Sequence, residues 1–294
     1  MKKVAILGIE NSHAWNFAKS LAAKDGTKVD EDLELVGFYA DLDREDGRIG
    51  KEKLAAVTDC AYFAQSPEEF AGQVDAVMIT SRHGKYHLPF AKPYLQQGIP
   101  VWVDKPICTS TEDVLELVRL AKASGSPITG GSSLVFSKEI LEMAEYVREN
   151  REKITGGHVT APVNLVNDYG NFWFYSSHLV QMVIAVFGPE IKRVSAWQRG
   201  GFVHAIYHYE DMEVTACFGT GYSVTAYKGA WEAKAMTATT AGCYDAELAE
   251  FCHMVRTGKG VESYRDFVLP VFVIEATIRA FEENKTVDIL VPEI

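Results

Sequence analysis

The sequence predicts an α/β protein: a doubly wound parallel sheet in residues 1–125, followed by an α+β domain with a largely antiparallel open sheet in residues 126–294. Three observations lead to this fold class. In the first part, apolar β-like runs alternate with segments of helical spacing. Several of these runs, such as "DAVMIT" and "IPVWV", are almost continuously hydrophobic, which is typical of strands buried on both faces. In the second part, strand-like runs follow one another without helices between them, which favours antiparallel pairing.

The first domain is predicted to alternate between strands and helices throughout. The segment "TSTED" offers a helix start with Ser110 or Thr111 as the cap, and "ASGSP" contains the stop for that helix. The predicted strands are 3–8, 33–40, 74–80 and 100–104, and the predicted helices are 12–24, 45–56, 86–97 and 111–124.

The second domain begins with a helix at about 135–150 and an aromatic-rich, buried helix at 172–187. Runs such as "FVHAIYHYE" and "MEVTACF" alternate between apolar and polar residues, as half-buried strands do. The remaining predicted elements are strands at 190–198, 202–209, 212–219 and 222–239, helices at 245–257 and 265–283, and a final strand at 286–291.

Composition narrows the class of protein. The formal net charge of −11 argues against nucleic acid or an anionic membrane as the main partner. Five scattered cysteines without a C-x-x-C pair fit a reducing compartment and no zinc site, and no metal site is predicted. The N-terminal sequence enters a strand at once, without a signal peptide, and the apolar runs are too short to span a bilayer. We therefore expect a cytoplasmic protein.

The loop after the first strand resembles a dinucleotide fingerprint only in part. The pattern G-x-G-x-x-G reads here "GIENSH", residues 8–13, so that only the first glycine is present. Gly8 permits the tight turn, and Asn11 or Ser12 can cap the following helix, whose N–H groups form an anion site. Glu10 and His13 replace the other two glycines, which predicts a rebuilt phosphate loop with weakened or displaced cofactor binding.

Acidic residues follow the second predicted strand in "FYADLDRE". A carboxylate at Asp41 can accept the two ribose hydroxyls of an adenosine and repels a 2′-phosphate, which favours NAD. NADP is not excluded, because the end of this strand is defined only to within a residue or so. Solvation of the loop is the alternative explanation for Asp41 and Asp43.

The turn "DKP" follows the predicted strand at 100–104. A partly desolvated lysine at this place, Lys105, can have its pKa lowered toward neutrality and can carry a proton to and from a substrate hydroxyl. Pro106 fixes the backbone beyond it, with a cis bond as one possibility. An ordinary loop lysine is the alternative.

The segment "AVMITSRHGKYHLPFAKPYLQQGIPVWVDKPICTSTEDVLEL" resembles the central part of the glucose-fructose oxidoreductase/inositol dehydrogenase (Gfo/Idh/MocA) family. That family shows a T-P-N-like turn, a helix with H-x-x-x-A, then G-K-x-V and E-K-P. Thr80 matches the turn, His87 and Ala91 match the helix, and Asp104 begins the E-K-P match. The resemblance implies a Rossmann-like, dinucleotide-binding first domain and a second domain for substrate binding and oligomerisation. The cofactor-binding residues expected from the loops and from the family together are Gly8, Asn11, Ser12, His13, Asp41, Thr80, Ser81, His83, His87, Asp104, Lys105 and Pro106.

A second family motif, D-x-G-x-H-x-x-D on a helix, has its counterpart in "FYSSHLVQ". Only the histidine, His178, is retained; Phe174 replaces the first acid and Gln181 the last. The resemblance implies that Lys105 and His178 are catalytic, with His178 orienting a substrate hydroxyl. Asn171, Trp173 or Tyr175 could supply a missing contact, and we expect Lys105, Trp173, Tyr175 and His178 to bind substrate. A core histidine on an apolar helix is the alternative for His178.

The leading functional hypothesis is an NAD(P)-dependent oxidoreductase that transfers hydride between nicotinamide and a sugar, polyol or related hydroxy compound. The substrate class follows from the resemblance. A non-catalytic dinucleotide or sugar sensor is the second hypothesis, favoured by the missing glycines, by Phe174 and by Gln181. A redox-neutral elimination or glycoside cleavage with tightly held NAD is the third. By analogy with the family, we expect a homo-dimer or homo-tetramer.

Overall fold

Five strands form a wholly parallel sheet in the order β2-β1-β3-β4-β5. The inner strands β3 and β4 are buried along their whole length, as their continuous apolar runs predict. Strand order reverses between β1 and β3, and in such sheets ligands bind past the carboxyl ends of the strands at this point. The strands are β1 Lys2–Leu7, β2 Leu33–Tyr39, β3 Ala76–Ile79, β4 Val101–Asp104 and β5 Ile128–Gly131.

Helices follow the first four strands in turn: α1 Ser12–Ala22, α2 Glu45–Val57, α3 His87–Leu95 and α4 Thr111–Ser124. Ser110 caps α4 through its hydroxyl, which accepts a hydrogen bond from the backbone N–H of Asp113. Gly125 ends the same helix with a φ of 71°. The strand and helix alternation predicted for this part of the chain is therefore confirmed.

The computed structural model describes residues 1–30 and 32–294 and divides the chain into two units. The first unit comprises residues 1–131 and 244–262, and the second comprises 132–243 and 263–294. This division differs from the continuous one predicted, because α7 (Cys243–Thr257) packs in the first unit. Lys2 Nζ donates to the carbonyl of Val255 at 2.7 Å, and Arg256 pairs with Asp30.

The second unit contains a seven-stranded sheet in the order β11-β10-β6-β9-β8-β7-β12. Only β6 and β9 pair in parallel, so the predicted largely antiparallel sheet is confirmed. The run predicted as one strand at 222–239 is a hairpin that turns at Gly229. The strands are β6 Ile154–Ala161, β7 Arg193–Arg199, β8 Phe202–His208, β9 Glu213–Phe218, β10 Ser223–Lys228, β11 Glu232–Thr237 and β12 Val287–Asp288.

Helices cover one face of this sheet, and their apolar residues form the core of the second unit together with those of the strands. They are α5 Lys138–Glu149, α6 Phe172–Phe187 and α8 Tyr264–Glu283. Helix α6 is almost wholly buried, and it carries Leu179, Val180 and Met182 into the core with no exposed surface. Along residues 1–30 and 32–294, no helix combines the length and hydrophobicity needed to cross a bilayer.

Candidate functional site

The turn after β1 requires glycine at position 8. Gly8 has a φ of +88°, and a Cβ added there would lie 2.4 Å from the backbone nitrogen of Ser81. The Gly8 N–H donates to the carbonyl of Tyr39, and its own carbonyl accepts from the hydroxyl of Thr80. This turn therefore joins the ends of β1, β2 and β3 at the place where strand order reverses.

Helix α1 begins directly beyond this turn, and Asn11 is its cap. The Asn11 side-chain oxygen accepts from the backbone N–H of His13 at 2.8 Å, while its amide donates to the carbonyl of Thr80. Of the two predicted caps, the structure therefore selects Asn11, and Ser12 is the first residue of the helix.

Glu10 takes the position of the second fingerprint glycine and lines a cleft with about 520 Å³ of empty space. Its carboxylate accepts a hydrogen bond from the backbone N–H of Arg82 at 2.9 Å. Burial raises the pKa of Glu10 above its usual value, and the negative charge of Asp46 acts in the same direction. The cleft is lined by Gly8, Glu10, Tyr39, Ala40, Asp41, Arg44, Asp46, Gly47, Ser81, Tyr86 and Phe90.

The lining of this cleft includes the acid predicted to bind ribose. Asp41 lines the cleft, and one oxygen of its carboxylate accepts from the backbone N–H of Asp43 at 3.1 Å. Arg44 also lines the cleft, but its guanidinium makes a bidentate pair with Asp46 at 2.8 and 3.0 Å. The rings of Tyr86 and Phe90 stack at 5.7 Å and form an aromatic wall. The lining of the cleft therefore includes an aromatic surface and the carboxylate of Asp41.

The predicted residues after β3 have unequal roles. Thr80 and Ser81 are buried beside Gly8, and Ser81 lines the cleft. His83 begins a short helical turn, and burial lowers its pKa to about 4. His87 is fully buried, and its two ring nitrogens lie 2.7 Å from the carbonyl of Ser81 and 3.1 Å from that of Ile107. His87 therefore ties the loop after β3 to the loop after β4 and does not line the cleft.

Lys105 follows β4 at the carboxyl end of the sheet and is only 5% exposed. Its peptide bond to Pro106 is cis. Burial lowers the pKa of the Lys105 ammonium; Asp104 and Glu247 oppose this effect, and the positive charge of Arg82 adds to it. Lys105 thus has the lowered proton affinity that the sequence predicts for a lysine at this place.

Beside Lys105 lies a buried group of three side chains that sequence reasoning did not assemble: His13, Asp104 and Glu247. His13 Nδ1 lies 3.0 Å from Asp104 Oδ1, and that same oxygen accepts from the Lys105 backbone N–H at 2.7 Å. Burial alone would raise the pKa of Asp104, but the charges of His13 and Lys105 outweigh it and the pKa is lowered. The side chain that replaces the third fingerprint glycine is thereby paired with Asp104 at the end of β4.

Glu247 is the member that the sequence analysis missed. It lies on α7 and shares the helix face of the buried Phe251 and Met254. An acid on the apolar face of an amphipathic helix was the available signal. Burial raises the pKa of Glu247 well above its usual value, and the charge of Asp104 raises it further.

In the second unit, His178 is 4% exposed on α6 and is held by its neighbours. The hydroxyl of Ser132 lies 2.7 Å from His178 Nδ1. Gln181, at the family's second acid position, accepts from the Ser132 backbone N–H at 2.9 Å. The motif residues His178 and Gln181 are therefore joined through Ser132, a residue that the sequence analysis did not select.

Phe174, at the family's first acid position, is 8% exposed within an aromatic group. Its ring lies 5.3 Å from that of Tyr169 and 4.6 Å from that of Tyr175. Trp173 is half-buried and packs against the core of the second unit. Tyr175 is half-buried, with its ring 6.1 Å from that of His178.

Residues 2–131 match the family described as "Oxidoreductase family, NAD-binding Rossmann fold" (GFO_IDH_MocA). The match confirms the predicted resemblance, the oxidoreductase class and NAD as the cofactor of the family's Rossmann fold. A comparison with curated proteins finds no match.

Solved structures similar to this chain extend over both units. A probable dehydrogenase from Thermotoga maritima is 17% identical with a TM-score of 0.80, covering 98% of each chain. A myo-inositol dehydrogenase from Corynebacterium glutamicum is 17% identical with a TM-score of 0.78, covering 100% of each chain. A scyllo-inositol dehydrogenase from Lactobacillus casei with bound NAD(H) and scyllo-inositol is 16% identical with a TM-score of 0.79, covering 98% of this chain and 99% of that one. At these identities the likeness establishes the fold.

Proposed function

We propose that this protein is an NAD-dependent dehydrogenase that transfers hydride between nicotinamide and a carbinol carbon of a sugar, polyol or related hydroxy compound, with Lys105 as the general acid and base. The observation that carries the proposal is a buried lysine of lowered pKa at the carboxyl end of β4, in the sheet whose switch point forms the cleft. Structural neighbours that bind NAD(H) with scyllo-inositol or myo-inositol support the substrate class.

The cleft fits the adenosine half of a dinucleotide. Gly8 is required where a Cβ would collide with Ser81, so the turn after β1 packs directly against the Ser81 loop, and both residues line the cleft. Tyr86 and Phe90 offer a surface for the adenine ring, and Asp41 offers a carboxylate to ribose hydroxyls. Because Arg44 is already paired with Asp46, it is not set to receive a 2′-phosphate, which supports NAD over NADP.

Lys105 is suited to proton transfer because burial favours its neutral form. A neutral amine accepts the proton of a substrate hydroxyl during oxidation and returns it during reduction. When bound, NAD supplies the hydride acceptor or donor of this reaction. The pairing of Asp104 with the Lys105 backbone and with His13 holds the lysine at the end of its strand.

His178 is proposed to orient the substrate hydroxyl, a role that rests on the family motif. The contact between Ser132 and His178 Nδ1 supports it, since the hydroxyl fixes the ring's orientation. Trp173 and Tyr175 are proposed to contact substrate from the same helix. Phe174 replaces the family's acid, so His178 is expected to work without a carboxylate partner at that position.

A sensor that binds dinucleotide or sugar without turnover is the second candidate. Phe174 in place of an acid, and Glu10 in the cleft, favour it. Lys105 and His178 are retained, which favours the enzyme.

A screen separates the two functions. Reduction of NAD and of NADP is followed by absorbance over a panel of inositols, aldoses and other polyols, with NAD binding measured by calorimetry on the same protein. The enzyme proposal expects NAD reduction with at least one polyol and a slower reaction with NADP. Binding of NAD or of a sugar, without turnover of any compound in either direction, would contradict the enzyme and support the sensor.

We also infer that the protein forms a homo-oligomer through the open face of the second unit's sheet. Trp197 and Phe202 lie on this face, each 43% exposed, and both rings stack with His204. Exposed aromatic residues on a regular sheet surface are typical of an interface between subunits.

A further inference from the structure

Glu247 is a buried acid that the proposed mechanism does not use. It lies on α7 within the first unit and has no exposed surface. One of its oxygens, one oxygen of Asp104 and a ring nitrogen of His13 all lie within 4.8 Å of one another. The Asp104 member of this group precedes Lys105 directly. Glu247 therefore belongs to a buried group that adjoins the residue proposed to transfer the proton.

The hydrogen bonding of this group is incomplete. Among the described residues, neither oxygen of Glu247 has a hydrogen-bond partner, and Asp104 Oδ2 has none either. An ionised carboxylate in this position would be strongly unfavourable, because it is removed from water without receiving a donor. A protonated carboxyl group brings its own O–H donor, and Asp104 Oδ2 is an acceptor without a donor.

The charges around the two acids also favour a protonated Glu247 beside an ionised Asp104. Burial and the negative charge of Asp104 raise the pKa of Glu247, while Lys105 opposes them. Asp104 faces His13 and Lys105, and their charges keep it ionised in spite of its burial. Two carboxyl groups this close, in unequal surroundings, take up one proton between them, and here the proton belongs to Glu247.

We propose that Glu247 is a positioning residue for Lys105: it remains protonated, shares its proton with the second oxygen of Asp104, and so keeps Asp104 as the single buried anion beside the lysine. This inference rests on the role proposed for Lys105. Glu247 acts through Asp104, whose other oxygen accepts from the Lys105 backbone and faces His13. Of the charged groups that act on the pKa of Lys105, Asp104 is then an anion, Glu247 a neutral acid and Arg82 a cation.

A divalent cation is the competing occupant of the same space. His13, Asp104 and Glu247 are ligand types that zinc and manganese accept. A metal ion would add positive charge beside Lys105 and would oppose the protonated form that the lysine takes in proton transfer, whereas a proton on Glu247 leaves the lysine with an anionic neighbour. The two occupants give different outcomes in the experiment.

The first measurement does not depend on turnover. Infrared difference spectra of the full-length protein at neutral pH compare wild type with Glu247→Gln and with Glu250→Gln, an exposed acid on the same helix. We expect wild type and Glu250→Gln to show the absorption band of protonated carboxyl groups. In Glu247→Gln, the component of that band that belongs to Glu247 should be missing. An unchanged band in Glu247→Gln would overturn the proposal. So would one equivalent of bound divalent metal in the purified protein that Glu247→Gln lacks.

The second measurement is the pH profile of turnover. Glu247→Leu removes the hydrogen-bond donor to Asp104, so the Asp104 carboxylate attracts the protonated form of Lys105 more strongly. The apparent pKa of the acidic limb of the pH profile therefore rises by roughly half a unit to one unit. Glu247→Gln restores an uncharged donor and is expected to return the limb to its wild-type position. A shift shared by both variants, or absent from both, would overturn the positioning role. If the protein turns over no substrate, the dehydrogenase proposal fails while the infrared result still tests Glu247.

Discussion

Glu10 is the residue that departs furthest from a dinucleotide-binding loop. The second fingerprint glycine allows the backbone to approach a pyrophosphate, and here a carboxylate takes its place in the cleft. The hydrogen bond from the Arg82 N–H keeps this carboxylate at the cleft wall. Burial and the charge of Asp46 raise the pKa of Glu10. The carboxyl group therefore ionises at a higher pH than an ordinary glutamate does.

Glu10→Gln is therefore expected to bind NAD roughly three- to tenfold more tightly at pH 8, since it removes a negative charge near a negative ligand. The amide oxygen can still accept the Arg82 N–H, so the loop is retained. Wild-type affinity should fall between pH 5 and pH 8 relative to that of the variant. Calorimetric titration with NAD measures both effects, with Glu52→Gln on the exposed face of α2 as the control. Weaker binding by Glu10→Gln would contradict the repulsion.

At the scale of elements, the turn after β1 depends on Gly8. A side chain there would have to adopt a φ of +88° and would meet the backbone of Ser81 at 2.4 Å. Gly8→Ala is expected to lower the free energy of unfolding by roughly 2–4 kcal/mol, because strain and collision act together.

The matched control is Gly26→Ala, because Gly26 has a φ of +79° but nothing within 4 Å of the added Cβ. The free energy of unfolding of that variant should fall by only about 1 kcal/mol, because only the unfavourable backbone conformation contributes. Urea unfolding of both variants separates the two contributions. Equal losses would mean that the close approach to Ser81 is unimportant.

The sequence predicted most elements of both units, and the exceptions have a physical reason. Helix α6 was predicted with the observed bounds, because a long apolar run with a glycine stop is unambiguous. Strands β5 and β6 were not predicted, since "ITGG" in each offers too few side chains to establish a period of two. Strands pair through hydrogen bonds between backbone groups, which do not require side chains that alternate between apolar and polar. These two strands therefore form although their sequences do not show that alternation.

The candidate site was predictable where it depends on single positions. Gly8, Asp41 and Lys105 follow strands, and a parallel sheet brings the carboxyl ends of its strands to one edge. The link between His13 and Asp104 was not predictable, because it joins the end of β4 to a side chain at a glycine position. Glu247 was missed because α7 follows the strands of the second unit in sequence but packs in the first.

For the molecule as a whole, Glu247 makes stability depend on pH. Its folded-state pKa is raised above the ordinary value of 4.5, so the protonated form stabilises the fold below that value. This stabilisation is lost as the pH rises toward the raised value. Glu247→Gln lacks this dependence on pH. The difference between its Tm and that of wild type should therefore shift in favour of the variant as the pH rises from 5 to 8.

Thermal unfolding monitored by fluorescence over this pH range measures that difference, and Glu250→Gln should follow wild type. A gap between Glu247→Gln and wild type that stays constant with pH would contradict a raised pKa.

The open sheet face of the second unit accounts for the expected self-association. The double variant Trp197→Ser and Phe202→Ser removes two large exposed rings, so we expect the molar mass to fall to that of one chain in light scattering. Val166→Ser, at an equally apolar residue that is 86% exposed outside the strands, should leave the assembly intact. An unchanged assembly in the double variant would place the interface elsewhere.

The central claim is that Lys105 transfers the proton in an NAD-linked oxidation, and the turnover number of Lys105→Met tests it most directly. Methionine keeps much of the side chain's length without a titratable amine, and Lys53→Met alters an exposed lysine on α2 as the control. With the polyol that the wild type oxidises fastest, we expect kcat for Lys105→Met to fall by roughly 10²- to 10⁴-fold. Calorimetry should still detect NAD binding to this variant. A kcat for Lys105→Met within a few-fold of wild type would contradict the claim.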